Sequence, residues 1–137
     1  MIVDSSALIA VAAFEAGRDL LLNALLTEMG LLPTPTLVEF RRVASRKREL
    51  SGLDAERFVD DLLSGNLRLL LFDERHAKAA SNANNVHGIG NTRGGTLNLL
   101  DLMVYACAKV EALPILCTGR DFAATDADIH PASRTAF

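Results

Sequence analysis

The sequence predicts an α/β fold, a central parallel sheet flanked by helices on both faces. Two observations point there. Short apolar segments alternate with longer segments at helical spacing, which favours parallel strands joined by helical crossovers. Half of the 137 residues are hydrophobic, enough for a substantial core in a single domain of this length. One domain is therefore expected over residues 1–137.

"MIV" is short, apolar and β-branched, so the first strand ends near Asp4. "SSALIAVAAF" begins a helix, with Ser5 or Ser6 as its cap. "GRDLLLNALLTEMG" is amphipathic and stops at Gly30. "LLPTP" holds two prolines and reads as a short extended segment and turn. "TLVEFRRVASRKREL" is helical, with Thr36 as a cap and Leu37, Phe40, Val43 and Ala44 on one side. "GLDAERFVDDLLSG" forms another helix, capped by Asp54 and closed by Gly65. "LRLLLF" is a buried strand, and "DERHAKAASNANNVH" a weaker helix. "GIGNTRGGT" holds four glycines and is a loop. "NLLDLMVYACAKVEA" is a strong helix and "LPILCT" a strand. An irregular tail follows from about residue 127, after at most one helical turn.

No apolar run reaches the roughly 20 residues of a membrane span, and no basic n-region opens the chain. Cys107 and Cys117 have neither metal-type spacing nor a disulfide framework, so they read as buried thiols of a cytoplasmic protein. The net charge of −3 argues against a general nucleic-acid coat. The charge is uneven, however. Residues 41–48 carry five basic residues and no acid, leaving nine basic against seventeen acidic residues elsewhere. His76, His87 and His130 are scattered and read as structural or surface groups.

Ligands of open α/β sheets bind outside the carboxyl ends of the strands. Asp4 falls there, and so does Asp121, a short loop after "LPILCT". Glu39 and Asp101 lie inside helices otherwise rich in apolar residues. A lone acid at such a position is an ordinary cap, and Glu39 has Arg42 at i+3 as an ordinary helix-surface partner. Four acids set against apolar stretches or strand ends form a stronger pattern. Buried carboxylates repel one another and lose hydration unless they share a cation. Oxygen ligands without a His or Cys cluster suit Mg²⁺ or Mn²⁺, and such ions promote phosphoryl chemistry.

"MIVDSSALIA", "TPTLVEF", "LNLLDLMVYACAK" and "LCTGRDFAATD", in this order and separation, resemble the PIN-domain ribonucleases, and within them the VapC-type toxins of type II toxin–antitoxin pairs. The resemblance runs from Met1 to about Asp126 and implies a PIN-like nuclease domain. It carries the family's four acids onto Asp4, Glu39, Asp101 and Asp121. Asp126 matches a peripheral acid, and Ser5, Ser6, Asn98 and Thr118 match supporting polar positions. Two motifs depart from the family pattern. "NLLD" stands where "NFGD" is common, and "GRDF" where "GDDF" is common, so Arg120 replaces an acid.

The resemblance implies an endoribonuclease using Mg²⁺ or Mn²⁺. Asp4, Asp101 and Asp121 would be direct or water-mediated metal ligands. Glu39 would orient or deprotonate the attacking water, or hold a second ion. Attack by water leaves a 5′-phosphate and a 3′-OH. Candidate RNA contacts are Arg41, Arg42, Arg46, Lys47 and Arg48 of the basic segment, with Arg93 and Arg120; a solvated charged helix is the plain alternative for the segment. The family also implies a cognate antitoxin and a homodimer. The competing reading is a non-catalytic PIN-like module that binds RNA or protein. "GIGNTRGG" has the wrong glycine spacing for a dinucleotide site.

Overall fold

The computed structural model describes residues 1–48 and 50–135. Four strands, β1 (Ile2–Val3), β2 (Gly30–Pro33), β3 (Leu67–Leu70) and β4 (Ile115–Leu116), form one all-parallel sheet in the order β3-β2-β1-β4. Six helices surround it among the described residues: α1 (Ser5–Ala12), α2 (Arg18–Thr27), α3 (Thr34–Ala44), α4 (Gly52–Ser64), α5 (Glu74–His87) and α6 (Leu99–Glu111). The predicted α/β class is the observed one.

Side chains alternate across the sheet, and this separates two cores. Val3 and Leu116 face one core with Leu8, Leu21, Leu25, Leu32 and Phe40. Ile2 and Ile115 face the other with Leu102, Tyr105, Cys107 and Phe122. Helices therefore cover both faces, as the sequence predicts. Both cysteines are free and buried, and burial pushes each thiol up to about 12. No helix among the described residues is long and apolar enough to cross a membrane.

The strand order sets the location of the site. The chain builds outward from β1 through β2 to β3, then returns to the other side of β1 to lay down β4. The order reverses between β1 and β4, so their carboxyl ends flank the crevice of a switch point. Asp4 directly follows β1, and its N–H donates to the carbonyl of Leu116 in β4 at 3.0 Å.

Several local expectations are corrected. "GLLP" is a true inner strand, paired with both β1 and β3, because its prolines fall at its very end and in the first turn of α3. Gly30 opens β2 instead of closing α2, which ends at Thr27. A Cβ on Gly30 would meet Leu67 Cδ1 at 2.9 Å, so strand packing explains this glycine. β3 is the sheet edge, and Arg68 and Leu69 are exposed there. The caps are Asp4 for α1 and Ser51 for α4, in place of Ser5 or Ser6 and Asp54. Thr36 is no cap but a buried residue inside α3. That helix ends at Ala44, so Arg46, Lys47 and Arg48 follow it; Glu49, also read as helical, lies outside the described residues.

Residues 125–135 carry no further helix or strand, yet they run along the outer edge of β4. Parallel bridges join Ile129 to Ile115 and Arg134 to Thr118. The Ser133 hydroxyl donates to the Ile115 carbonyl and accepts the Cys117 N–H, each at 3.1 Å. His130 donates from Nε2 to Glu28 and accepts the Ala132 N–H at Nδ1.

Candidate acidic active site

Four separate elements deliver the four acids. Asp4 caps α1 and is 5% exposed; its Oδ2 accepts the N–H of Ser6 at 3.0 Å and the Ser6 hydroxyl. The cap reading and the site reading of Asp4 are thus compatible, because a single oxygen serves the cap. The Ser6 hydroxyl also accepts the Thr118 N–H at 3.0 Å, joining the end of β1 to the loop after β4. Glu39, half-buried on α3, accepts the Ser5 hydroxyl on Oε2 at 2.8 Å.

Asp101 and Asn98 form a capping box at the start of α6. Asn98 Oδ1 accepts the Asp101 N–H, and Asp101 Oδ2 accepts the Asn98 N–H, both at 3.0 Å. Asp121 is exposed, and its carboxylate makes no hydrogen bond among the described residues. Its main-chain carbonyl accepts the Thr96 hydroxyl at 3.2 Å.

Electrostatics unite the group. Burial pushes the Asp101 carboxyl up to about 6, and the charges of Asp4, Asp121 and Glu39 push the same way. Burial raises Asp4 as well, against the hydrogen bonds of Ser6 and with the help of Glu39. The hydrogen bonds fall on Oδ2 of Asp4, Oε2 of Glu39 and Oδ2 of Asp101, which leaves the second oxygen of each for another partner. No group of three or more His, Cys, Asp or Glu side chains among the described residues is arranged to hold a metal ion. The donor chemistry still fits one: oxygen only, mutually repelling, partly desolvated, and graded from buried Asp4 to exposed Asp121.

A profile of the PIN domain family matches residues 1–128. The chain belongs to the PIN domain family. Ribonuclease VapC42 of Mycobacterium tuberculosis is 34% identical over 135 residues, covering 96% of this chain and 98% of that protein. Among solved structures, VapC20 of M. tuberculosis, described as a sarcin–ricin loop cleaving toxin, is similar with a TM-score of 0.73 at 14% identity, over 92% of this chain and 95% of that one. A toxin–antitoxin complex from Klebsiella pneumoniae is similar with a TM-score of 0.72 at 16% identity, over 95% and 96%.

Within this PIN domain the remaining sequence candidates divide. Ser5 and Asn98 bond acids of the group directly, whereas Thr118 reaches it only through its N–H on the Ser6 hydroxyl. Asp126 stands apart from it. It accepts the Tyr105 hydroxyl at 2.6 Å and Lys109 Nζ at 3.1 Å, and these bonds hold its carboxyl down at about 2. Arg41 forms a two-pronged pair with Glu56 at 2.7 and 3.1 Å, and Lys47 pairs with Glu15 at 2.8 Å. Arg42, Arg46 and Arg93 are exposed, with no ion pair among the described residues; Arg120 is exposed too. His76, buried against Glu111, and His130, against Glu28, are structural.

Sequence reasoning undervalued Ser6, which bridges Asp4 and β4, and missed Thr96. The doublet after Asp4 carries a signal for the first. Nothing local signals the second, since its partner lies 25 residues on.

Proposed function

We propose that this PIN domain is a VapC-type toxin, a metal-dependent endoribonuclease acting in the cytoplasm. The observation that carries the reading is geometric: Asp4 follows β1 with its N–H on Leu116 of β4, Ser5 beside it bonds Glu39, and the segment that leads into Asp101 bonds the Asp121 carbonyl through Thr96. The near full-length likeness to a VapC ribonuclease supports RNA as the substrate class. The likeness to a toxin–antitoxin complex supports an antitoxin partner. Exposed apolar side chains, among them Phe14, Leu71 and Leu99, support further protein contacts, including a homodimer.

Asp4, Asp101 and Asp121 would hold the ion, with Glu39 beside it. A bound Mg²⁺ or Mn²⁺ would polarise a phosphate oxygen and lower the pKa of water. Ser6 and Asn98 each hold one oxygen of an acid and so fix how Asp4 and Asp101 present the other. Ser5 does the same for Glu39, which takes the proton of the attacking water. In-line attack on phosphorus breaks the bond to the 3′-oxygen, which leaves with the electron pair and takes a proton from solvent water, giving a 5′-phosphate and a 3′-OH.

The test is cleavage of RNA by the purified protein with Mn²⁺, Mg²⁺ or EDTA, followed by end-group analysis. Asp4→Asn and Asp101→Asn should each abolish the metal-dependent cuts. Full activity in both variants, or a 2′,3′-cyclic phosphate product, overturns the mechanism. Absence of cleavage together with retained RNA binding would support the non-catalytic module instead.

A further inference from the structure

We infer that Thr96 is a positioning residue that sets the place of Asp121 relative to Asp101. The inference rests on the reading of Asp121 as a metal ligand. It starts from the glycine-rich loop between α5 and α6, which that reading does not use.

The loop is pinched at its base. Ile89 N–H donates to the Leu97 carbonyl and Leu97 N–H to the His87 carbonyl, both at 2.9 Å. Asn91 Oδ1 accepts the N–H groups of Arg93 and Gly95 at 2.9 and 3.1 Å, which folds the tip back on itself. The two legs approach so closely at Gly95 that a Cβ there would lie 2.3 Å from the Gly88 carbonyl oxygen and 2.4 Å from His87 main-chain atoms. Thr96 leaves this pinch with little freedom. Leu97 next to it is 1% exposed in the core, and Asn98 caps α6 and holds Asp101.

From that fixed point the Thr96 hydroxyl donates to the carbonyl of Asp121. The Asp121 carboxylate makes no hydrogen bond of its own among the described residues, so only its main chain is held. Thr96 is one of several anchors, beside the buried Phe122 next to Asp121, the Ala124 N–H on the Arg120 carbonyl at 3.1 Å and the Gly119 N–H on the Arg134 carbonyl at 2.9 Å. Gly119 has φ +93°, a turn conformation that favours glycine. Phe122 packs in the same core as Leu97 and Leu102, and the Thr96 hydroxyl adds the hydrogen bond that ties this corner to the segment carrying Asn98 and Asp101. That bond therefore helps set the gap between the third and fourth acids.

The test uses the full chain with Thr96→Val, Thr96→Ser and Asp121→Asn, measuring Mn²⁺ affinity by calorimetry, metal-free thermal unfolding, and RNA cleavage at saturating Mn²⁺. Thr96→Val should weaken Mn²⁺ binding about fivefold, because the ion must then order an Asp121 that the hydroxyl no longer holds in place. Its metal-free Tm should fall by no more than about 8 °C, the loss of one hydrogen bond, and its cleavage rate should recover at saturating metal. Thr96→Ser should bind Mn²⁺ within about twofold of the parent. Unchanged Mn²⁺ affinity in Thr96→Val, or an equal loss in Thr96→Ser, overturns the inference while a weakened Asp121→Asn leaves the ligand reading standing. Parent-like Mn²⁺ binding by Asp121→Asn overturns the ligand reading itself.

Discussion

Ser5 Oγ donates to Glu39 Oε2 at 2.8 Å across 34 residues of chain. The next residue, Ser6, bonds Asp4 and receives the Thr118 N–H. Two adjacent hydroxyls thus serve different acids, because successive residues in the first turn of α1 point about 100° apart. Their removal should have different effects. Ser5→Ala frees the Glu39 carboxylate and should lower kcat about tenfold, with a loss of stability of about 1 kcal/mol. Ser6→Ala strips Asp4 of a donor and leaves the Thr118 N–H without its acceptor. That should cost about 1–3 kcal/mol, read as a lowered urea midpoint, besides the loss of activity.

Asp101 makes metal-free stability pH-dependent in an unusual direction. Its folded pKa of about 6 lies above the ordinary 3.8, so the folded state binds more protons between those values. Its contribution is fully present below about pH 4 and is lost as pH rises through 6. Asp4 is shifted the same way. Asp101→Asn removes the charge but keeps an oxygen to accept the Asn98 N–H. The variant should be more stable than the parent at pH 7 by about 1 kcal/mol, after allowance for partial solvent screening, and no more stable at pH 4. Urea titrations at the two pH values check this; a destabilised variant at pH 7 would contradict it.

The helices and three of the four strands were readable because hydrophobic period and apolar runs report burial, whatever the partner. β2 was legible only as a short extended segment and turn: Pro33 and Pro35 mark the turn locally, and pairing to both neighbours makes "GLLP" a strand. The caps at Asp4 and Ser51 each fell before the residue expected, since a cap is decided by the φ and ψ of one residue. Asp4, Glu39 and Asp101 stand out in the sequence because a carboxylate set against apolar residues is costly to bury, whereas Asp121 is exposed and is marked only by its place after β4. Thr96 and the edge contacts of residues 128–134 depend on main-chain partners that no side-chain pattern records.

Asp126 separates support from catalysis. Its carboxylate joins Tyr105 and Lys109 of α6 to the segment after β4 and makes no contact with the four acids among the described residues. Tyr105→Phe deletes one hydrogen bond and should lower stability by about 1 kcal/mol. Cleavage at saturating Mn²⁺ should remain within twofold of the parent. Because the folded pKa of Asp126 lies near 2, its contribution is present above about pH 4 and fades as pH falls toward 2. A large drop in kcat for Tyr105→Phe would place Asp126 in the active site after all.

The basic segment divides into side chains that hold the fold together and side chains open to a polyanion. The Arg41 guanidinium is committed to Glu56 on α4, half-exposed at both ends, so Arg41→Ala should cost at most about 1 kcal/mol of stability and leave RNA affinity nearly unchanged. Arg42 and Arg46 are exposed, with no ion pair among the described residues. Each phosphate contact releases a counterion, so removing both residues should reduce the slope of log K against log salt by about 1.4 on single-stranded RNA. Affinity should fall for every sequence alike, because backbone contacts carry no base information. The measurement is fluorescence anisotropy of a labelled RNA over a salt series in Ca²⁺ or EDTA, where cutting is suppressed. An unchanged slope in Arg42→Ala/Arg46→Ala, with a reduced one in Arg41→Ala, would reverse the assignment and make the Glu56 pair a contact that opens on binding.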